Sequence, residues 1–287
     1  MIDYWCNAFT PDRAPLWSSV ISDGALAIRT AGDSNDDGFT TIDRMAARMD
    51  RLGVVTLILP VCDLVTDAPL TDFAHYALRP HEIEGMSTVH PRHFRGMYSV
   101  DPTAGVGDVD RAAAALDQDW CVALHTHTHS WGLGFDHVAY TPYYALCRDR
   151  SVPFVMQAGR SGGHFDHAAG HPSAIATPAR TFPDVVFVLS HTGAPWVDEA
   201  LAAALEHPNV TVGTATHPPR RWGSALLEFI ADQGCDRCLF GTGFPLTGHQ
   251  RSLTQLDDLH LGEDVRHQLL EGNARRIFSR LAHTPGG

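Results

Sequence analysis

Short apolar runs recur along the chain, each ending in polar residues and followed by a segment with helical spacing. Val185–Gly193 shows this pattern most fully, because five apolar residues lead directly into Ser190, His191 and Thr192. Such a continuous run, with Pro183 before it, predicts a parallel strand that is buried on both faces. The active sites of α/β proteins lie at the carboxyl ends of parallel strands, so we expect His191 to be a catalytic residue.

Eight runs of this kind predict eight strands, at residues 2–7, 54–61, 94–100, 120–127, 152–159, around 188, 209–214 and 237–243. Helices are predicted between them, at 41–51 behind a Thr40 or Thr41 cap, before HPRHF (90–94), and at 108–118, 140–150, 173–181, 197–206, 224–233 and 263–281. Strands that alternate with helices through short turns indicate an α/β fold, a (β/α)8 barrel in a single domain over residues 1–287. An open doubly wound sheet is the competing fold.

The composition is that of an ordinary globular protein, with 44% hydrophobic and 19% charged residues. The excess of 33 acidic over 21 basic residues gives a net charge of −12, which argues against nucleic acid or an anionic membrane as a partner. An anionic small-molecule substrate stays open, because the potential in a site is local. No apolar run reaches the roughly 20 residues that span a bilayer, and the MIDYWCN start has no signal-peptide pattern, so we expect a cytoplasmic protein.

Most of the six cysteines lie in apolar runs, as reduced core cysteines do in a cytoplasmic protein. Cys235 and Cys238 form a Cys-x-x-Cys pair without a second pair or nearby ligands. That spacing alone is weak evidence for zinc or redox chemistry, and we expect neither.

Imidazoles, amides and hydroxyls gather at the predicted carboxyl ends of the strands, with almost no carboxylate. They are Trp5 and Asn7 after the first strand, His125, His127 and His129 after the fourth, Gln157 after the fifth, His191 after the sixth, Thr214, Thr216 and His217 after the seventh, and Thr242 or Gly243 after the eighth. In a barrel these ends share one mouth, and alternate residues of a strand point to the same side. Arg160 and Arg220 follow the fifth and seventh strands and could hold a substrate carboxylate through bidentate hydrogen bonds.

Seven stretches of the chain, in register, resemble one known family. They are MID at the start, RMDRLGV (48–54), HPRHF (90–94), VPFVMQAG (152–159), FPDVVFVLSHTGAPW (182–196), LFGTGFP (239–245) and EGNARRIF (271–278). On these stretches the chain is similar to the amidohydrolase-related family of the amidohydrolase superfamily, the branch that includes the aminocarboxymuconate-semialdehyde and γ-resorcylate decarboxylases. The resemblance spans nearly the whole chain and implies a barrel enzyme that hydrolyses or decarboxylates a small metabolite as a homodimer.

The chain departs from that family at the metal site. Members of the family typically carry His-x-His on strand 1, a His after strand 5, a His on strand 6 and an Asp on strand 8, and all but the strand 6 His hold a divalent metal. Here those ligand positions hold Trp5, Asn7, Gln157 and Gly243, and only His191 is retained. An indole N–H cannot ligate, glycine offers no side chain, and neutral amide oxygens bind transition metals weakly. We therefore expect no metal at the usual site and no other cofactor.

The histidines of HTHTH (125–129) have three interpretations. They either line the barrel without chemistry, contact the substrate directly through His125 or His127, or form a relocated metal site together with His191. Alternate strand residues point the same way, so the geometry of a strand permits the third interpretation.

A second polar segment follows the fifth strand. His164, His167 and His171, with Asp166, predict a solvated lid, and Gly162–Gly163 would let it move over the mouth.

Three other mouth residues also have a structural interpretation. His191 acts as a general acid or base near neutral pH, or it lines the barrel for packing and hydrogen bonds. Trp5 fills the volume of the lost metal, or it forms a flat wall for a planar substrate. Asp3 lies deeper in the first strand, where we expect a structural hydrogen bond.

The favoured hypothesis is a metal-independent enzyme in which His191 is the acid or base and His125 and His127 assist it. The substrate is a small carbonyl- or carboxylate-bearing molecule, and its binding residues are Trp5, Asn7, Gln157, Arg160, Thr214, His217, Arg220 and Thr242. Hydrolysis without a metal hydroxide needs an activated substrate, so decarboxylation, isomerisation and cyclisation stay open. The alternatives are a decarboxylase or hydrolase with a relocated metal and a non-catalytic ligand-binding protein.

Overall fold

Eight parallel strands pair in chain order in this computed structural model, which describes residues 1–14, 38–61, 78–161 and 165–283. The strands are β1 (Ile2–Asp3), β2 (Thr56–Pro60), β3 (Phe94–Ser99), β4 (Cys121–Thr126), β5 (Phe154–Gln157), β6 (Phe187–Ser190), β7 (Val210–Gly213) and β8 (Cys238–Leu239). Each strand pairs with the next in parallel. The predicted α/β barrel is confirmed.

Helices in the described ranges lie between and after the strands. The α-helices are α1 (Ile42–Leu52), α2 (Pro80–Val89), α3 (Val106–Leu116), α4 (Thr128–Trp131), α5 (Thr141–Arg150), α6 (Ala176–Thr181), α7 (Val197–Glu206), α8 (Ser224–Ala231), α9 (His249–Asp257), α10 (Glu263–His267) and α11 (Asn273–Ile277). A π-helical turn at Gln268–Gly272 joins α10 to α11. Short 3-10 turns lie at Pro11–Arg13, Val138–Tyr140, His167–Gly170, Pro172–Ile175, His191–Gly193, Pro219–Arg221 and Ser279–His283.

Backbone hydrogen bonds join the first strand to the last and close the barrel. The N–H of Tyr4 donates to the carbonyl of Phe240 at 3.2 Å, and the N–H of Asn7 donates to the carbonyl of Phe244 at 2.7 Å. A parallel bridge also pairs Cys6 with Phe244. An open doubly wound sheet would not make these bonds, so the carboxyl ends of all eight strands meet at one mouth.

Most of the strands are shorter than predicted, and β1, β8 and β4 affect the mouth. Strand β1 ends at Asp3 because the backbone bends at Tyr4, and β8 contains only Cys238–Leu239. Strand β4 ends at Thr126, and His129 lies in the helical turn α4. The predicted strand reached His127, one residue too far, and His129 lies beyond the strand as expected.

Local signals explain where helix α1 begins and ends. The Oγ1 atom of Thr41 accepts a hydrogen bond from the N–H of Arg44 at 3.4 Å, which caps the first turn. Gly53 follows the helix with φ +68°, a left-handed conformation that glycine adopts without steric cost. Met45 and Met49, one turn apart, are buried in the core. The predicted helix and both of its boundaries are confirmed.

Apolar side chains fill the inside of the barrel and seal its amino-terminal end. The cluster contains Ile2, Ile58, Met97, Val122, Val155, Val188 and Leu239 from the strands, and Ala274, Ile277, Phe278 and Leu281 from the C-terminal segment. Arg280 donates hydrogen bonds to the carbonyls of Leu116 and Cys121, which flank the start of β4. The C-terminal segment thus covers the end of the barrel opposite the mouth. Among the described helices, none is both long and apolar enough to cross a membrane.

Candidate active site

His191 lies at the carboxyl end of β6, in a sharp turn of the backbone. Its φ is +61° and that of Thr192 is +57°, in the left-handed region that β-branched residues rarely adopt. Backbone strain of this kind costs on the order of 1–3 kcal/mol per residue and clusters at functional sites. The turn carries the imidazole of His191 inward, and only 8% of the residue is exposed.

The indole ring of Trp5 lies between two imidazoles. Its centroid is 4.9 Å from that of His125 and 4.8 Å from that of His191, and the rings meet edge to face at 79° and 82°. Trp5 is 4% exposed. The ring therefore fills the centre of the mouth instead of forming an open wall, which favours the volume-filling interpretation of this residue.

Asn7 holds the indole in place. The Nε1–H of Trp5 donates to Oδ1 of Asn7 at 3.1 Å, and the Asn7 amide donates to the carbonyl of Gly243 at 3.2 Å. The shared parity predicted for Trp5 and Asn7 is consistent with this contact. Because both ends of the amide are engaged within the protein, Asn7 positions Trp5 rather than presenting a free group at the mouth.

His125 and Ser99 form a close pair across neighbouring strands. Ser99 and His125 are register partners of β3 and β4, and the serine Oγ lies 2.5 Å from Nδ1 of the imidazole. The Nε2 atom of His125 is buried and has no hydrogen-bond partner among the described residues. Burial lowers the pKa of His125 to about 3, so the ring is neutral near neutral pH.

His127 and His129 are tied to the protein by different partners. His127 contacts Oγ of Ser130 through Nδ1 at 2.5 Å and Oγ of Ser161 through Nε2 at 2.8 Å. His129 donates from Nε2 to the carbonyl of Gly159 at 2.8 Å, and its buried Nδ1 has no partner within the described ranges. Burial lowers the pKa of both rings, and neighbouring histidines lower that of His127 further. Both ring nitrogens of His127, a predicted catalytic residue, therefore already contact a serine hydroxyl.

Burial, together with the charges that His217 and His125 would carry, holds the pKa of His191 well below its ordinary value. Nδ1 of His191 lies 2.8 Å from Oγ of Ser190, and that oxygen lies 2.9 Å from the Tyr4 hydroxyl. Nε2 of His191 has no hydrogen-bond partner in the part of the chain that the structure describes. The imidazole is therefore neutral, its Nδ1 contacts Ser190, and its Nε2 is available to a ligand.

Asp3 is completely buried and connects the two ends of the chain beneath the mouth. Its Oδ1 accepts from the backbone N–H groups of Trp5 and Thr242, each at 3.0 Å. Its Oδ2 accepts from the Thr242 hydroxyl at 2.5 Å and contacts Nε2 of His249 at 3.1 Å. The structural role expected for Asp3 is present, and its partner His249 was missed because it is far away in the sequence.

The other predicted binding residues divide into two groups. The hydroxyls of Thr214 and Thr242 are buried and bond within the barrel, Thr214 to the backbone of Gly241 and Thr242 to Asp3. The second group lies at carboxyl ends and keeps some solvent exposure: Gln157 and His217 are half-buried, and Arg160 and Arg220 are exposed. The hydroxyls of Thr214 and Thr242 therefore form hydrogen bonds within the barrel, whereas the residues of the second group surround the mouth.

The predicted lid is only partly described. Gly162–His164 lie outside the described residues, and His167 and His171 lie in or beside short 3-10 turns. Phe165 packs against His127 at 5.0 Å between centroids, so the segment after β5 borders the histidine cluster.

Sequence reasoning missed the groups that hold the histidines. Tyr4 was overlooked because alternation along a strand would turn it away from Trp5, whereas the bend after Asp3 brings both rings into the barrel interior. Ser190 immediately precedes His191, and that adjacency was the one available signal for its role.

The residues present do not fit the divalent metal that the family resemblance implies. Trp5 and Asn7 are bonded to each other, and Gln157 offers only a neutral amide. Gly243 has φ +63°, and a β-carbon there would lie 2.5 Å from Cγ2 of Thr216 and 2.7 Å from its backbone nitrogen. A carboxylate ligand on β8 is therefore sterically blocked at this position.

A relocated metal site is not formed by the described residues either. Within residues 1–14, 38–61, 78–161 and 165–283, no three His, Cys, Asp or Glu side chains are grouped so that they could hold a metal ion. This applies to the predicted combination of His125, His127 and His191. Cys235 and Cys238 are free thiols, and their carbonyls both accept from the Asn273 amide at 2.9 Å, which gives that segment a structural explanation.

Comparison with known proteins gives matches to a family and to solved structures. A family model described as Amidohydrolase matches residues 85–280, whereas no curated protein matches the chain. An uncharacterised TIM-barrel protein from Bordetella bronchiseptica is 18% identical, with 99% of both chains covered and a TM-score of 0.79. A 5-carboxyvanillate decarboxylase from Sphingomonas paucimobilis is 17% identical, with 97% of this chain and 98% of that chain covered and a TM-score of 0.65.

A third similar structure is a dihydroxybenzoic acid decarboxylase from Polaromonas sp. JS666 with bound manganese and the inhibitor 2-nitroresorcinol. It is 16% identical, with 97% of both chains covered and a TM-score of 0.64. At these identities the structural matches establish the shared barrel fold. Because the family model covers more than half of the sequence, the chain belongs to the amidohydrolase family.

Proposed function

We propose that this protein is an enzyme that acts on a small carbonyl- or carboxylate-bearing molecule without a divalent metal. His191 is its acid–base residue, and His125 and His127 assist it. Membership of the amidohydrolase family supports an enzyme, and the decarboxylases among its structural neighbours support carbon–carbon lyase chemistry. The homodimer and the cytoplasmic location stay predictions.

The position of Trp5 carries the proposal. Its indole lies within 5 Å of the imidazole centroids of His125 and His191, at the strand 1 position where the family carries a metal-binding histidine. An indole has no lone pair to offer a metal, and its N–H is already donated to Asn7. Because the Trp5 ring occupies the centre of the site, catalysis there depends on the polar groups around it.

The neutral state of the histidines limits the reactions that the site can catalyse. A neutral imidazole can donate one hydrogen bond and accept another, but it does not supply the hydroxide that a metal-bound water provides at neutral pH. Decarboxylation does not need such a hydroxide. When the carbon–carbon bond breaks, carbon dioxide leaves and the electron pair stays on the substrate carbon, which takes a proton from a water molecule. The hydroxide that remains combines with carbon dioxide to give bicarbonate. Groups that stabilise the developing charge and position the water are sufficient.

Substrate contacts are assigned to the residues that surround the mouth. Gln157 and His217 offer neutral polar groups, and the guanidinium groups of Arg160 and Arg220 offer the positive charge that a carboxylate requires. Trp5 fills the centre of the mouth and is not assigned a substrate contact, because only 4% of the residue is exposed.

A chelation experiment with a catalytic variant tests the proposal. Protein purified without an affinity tag is dialysed against a chelator, its metal content is measured, and turnover of hydroxybenzoates and related aromatic carboxylates is assayed. We expect turnover to be unchanged by chelation and to fall by about 100-fold or more in His191→Gln, the range typical of a lost acid–base group. His207→Gln is the matched control, because that histidine is also buried but follows α7 at the other end of the barrel.

Two outcomes would overturn the proposal. Stoichiometric metal that is lost together with activity on chelation would establish a metal-dependent enzyme. Tight binding of an aromatic carboxylate that persists in His191→Gln, with no turnover by either protein, would establish a ligand-binding protein.

A further inference from the structure

The phenol ring of Tyr4 occupies a space that two glycines create inside the barrel. A β-carbon at Gly213 would overlap the Tyr4 hydroxyl, and one at Gly241 would lie 2.6 Å from Cε1 of the ring. Tyr4 itself has no solvent exposure. The ring and its hydroxyl are therefore held in one place by β7 and β8.

Among the described residues, the hydrogen-bond partner of the Tyr4 hydroxyl is Oγ of Ser190, at 2.9 Å. Burial raises the pKa of the phenol well above its ordinary value, so the phenol keeps its proton. Because Oγ of Ser190 is the acceptor within reach, the Tyr4 hydroxyl donates to it.

The Ser190 hydroxyl then has one proton left to donate. Its contacts are the Tyr4 hydroxyl and Nδ1 of His191, at 2.8 Å. Because Ser190 accepts from Tyr4, its own hydroxyl proton forms a hydrogen bond only if Nδ1 of His191 is the acceptor. With the acceptors that the described residues offer, each other arrangement of these protons leaves a buried hydroxyl proton without an acceptor, a cost that corresponds to a preference of about tenfold or more.

We infer that Tyr4 and Ser190 are positioning residues that hold His191 in the tautomer with its proton on Nε2. The neutral ring then presents an N–H at the mouth, and its partner is an oxygen of the substrate that gains negative charge during the reaction. This inference rests on the proposed function, because it assigns the role that His191 has in that reaction.

The substrate class follows from the donor. A fixed N–H in a buried site stabilises a carbonyl, carboxylate or phenolate oxygen more strongly as its negative charge increases. Tyr4 and Ser190 fix the orientation and tautomer of His191. They do not relay a proton to it, because that transfer would leave a buried phenolate at Tyr4.

Nitrogen NMR of the histidine rings tests the inference without a substrate. Long-range proton–nitrogen correlation spectra of the full-length 15N-labelled protein distinguish a protonated from an unprotonated ring nitrogen. His191→Gln assigns the signals of His191. We expect the wild-type ring to show protonated Nε2 and unprotonated Nδ1. In Tyr4→Phe and Ser190→Ala we expect the two tautomers to come within about tenfold of each other in population, since the preference from buried hydroxyls is lost.

Tyr144→Phe is the matched control for the loss of a buried phenol. The Tyr144 hydroxyl donates to the carbonyl of Phe135 at 2.7 Å, away from the mouth, so its removal should leave the His191 tautomer unchanged. If Ser190→Ala does not fold, the wild-type tautomer and Tyr4→Phe decide the question together.

The results separate this inference from the proposed function. A proton on Nδ1 in the wild-type protein, or an unchanged tautomer in Tyr4→Phe, would overturn the inference even if the protein is an active enzyme. Suppose instead that Nε2 is protonated, that this depends on Tyr4, and that the protein turns over no aromatic carboxylate. That result would support the positioning of His191 by Tyr4 and Ser190 and would contradict the proposed function.

Discussion

Two hydrogen bonds between Asp3 and Thr242 join the first strand of the barrel to the segment that follows the last strand. Oδ1 of Asp3 accepts from the backbone N–H of Thr242 at 3.0 Å, and Oδ2 accepts from its hydroxyl at 2.5 Å. The same carboxylate holds the N–H of Trp5 and contacts His249. One buried acid therefore fixes the closure of the barrel and the start of the segment that carries Trp5.

Asp3→Ala should destabilise the protein strongly. Removing this buried carboxylate leaves several buried hydrogen-bond donors unsatisfied, at about 1–3 kcal/mol each, and we expect the free energy of unfolding to fall by about 3–5 kcal/mol. Urea denaturation measures this change. The control is Asp43→Ala, because Asp43 pairs with His90 at 2.7 Å but its side chain is 84% exposed. That variant should stay within about 0.5 kcal/mol of the wild type. Equal effects of the two substitutions would contradict the assigned role of Asp3.

Gly243→Asp should not restore a metal site. The substitution places the family's ligand on β8, but the positive φ alone costs about 1–2 kcal/mol and the new β-carbon would press on Thr216. We expect lower stability and no stoichiometric metal, measured by denaturation and elemental analysis.

A glycine substitution elsewhere provides the control for this prediction. Gly85 is exposed in α2 and has nothing within 4 Å of its added β-carbon. Gly85→Ala should stabilise the protein by about 0.5–1 kcal/mol, because alanine favours the helix. If Gly243→Asp bound a metal tightly with unchanged stability, the steric account of β8 would be wrong.

Stability should fall as the pH is lowered below about 6.5, the ordinary pKa of histidine. In the folded protein burial holds the pKa of His125 at about 3 and that of His191 well below its usual value, so both rings stay neutral. The unfolded chain binds protons on these residues at higher pH, so acidification favours unfolding. Each such ring contributes about 1.4 kcal/mol per pH unit between its unfolded and folded pKa.

Denaturation with urea between pH 7.5 and pH 5 measures this dependence. His125→Gln should reduce the slope of unfolding free energy against pH by up to one proton, whereas His137→Gln, on an exposed histidine, is the control. The same slope in His125→Gln and wild-type protein would show that His125 is not held neutral by burial.

Cysteine alkylation should be selective. Of the five described cysteines, Cys235 is half-buried and the others are buried. Burial raises the pKa of Cys121 and Cys238 to about 12, and the thiolate is the reactive form. Mass spectrometry after treatment with iodoacetamide at pH 8 should find Cys235 modified first, and Cys238 only after unfolding in urea. Equal labelling rates of Cys235 and Cys238 in the native protein would contradict this burial pattern. Cys62 lies outside the described residues.

Much of the barrel is predictable from local patterns. A parallel strand buried on both faces needs a continuous apolar run, and Val185–Gly193 shows one clearly. Thr41 and Gly53 mark the ends of α1 because capping and left-handed conformations depend on single residue types. The segment 2–7 was assigned too long a strand, since nothing in its composition marks the bend at Tyr4.

Local sequence patterns predict the order of the strands, the end of the barrel where His191 lies, and the chemical types at the positions where the family carries metal ligands. The contacts between polar groups are visible only in the folded barrel: Asp3 contacts His249 across 246 positions, and Trp5 lies between His125 and His191. Secondary structure depends on residues close together in the chain, and its pattern is therefore visible in the sequence. Partners in a buried hydrogen-bond network are chosen by the closure of the barrel, which brings distant residues within 3 Å and requires each buried donor to find an acceptor.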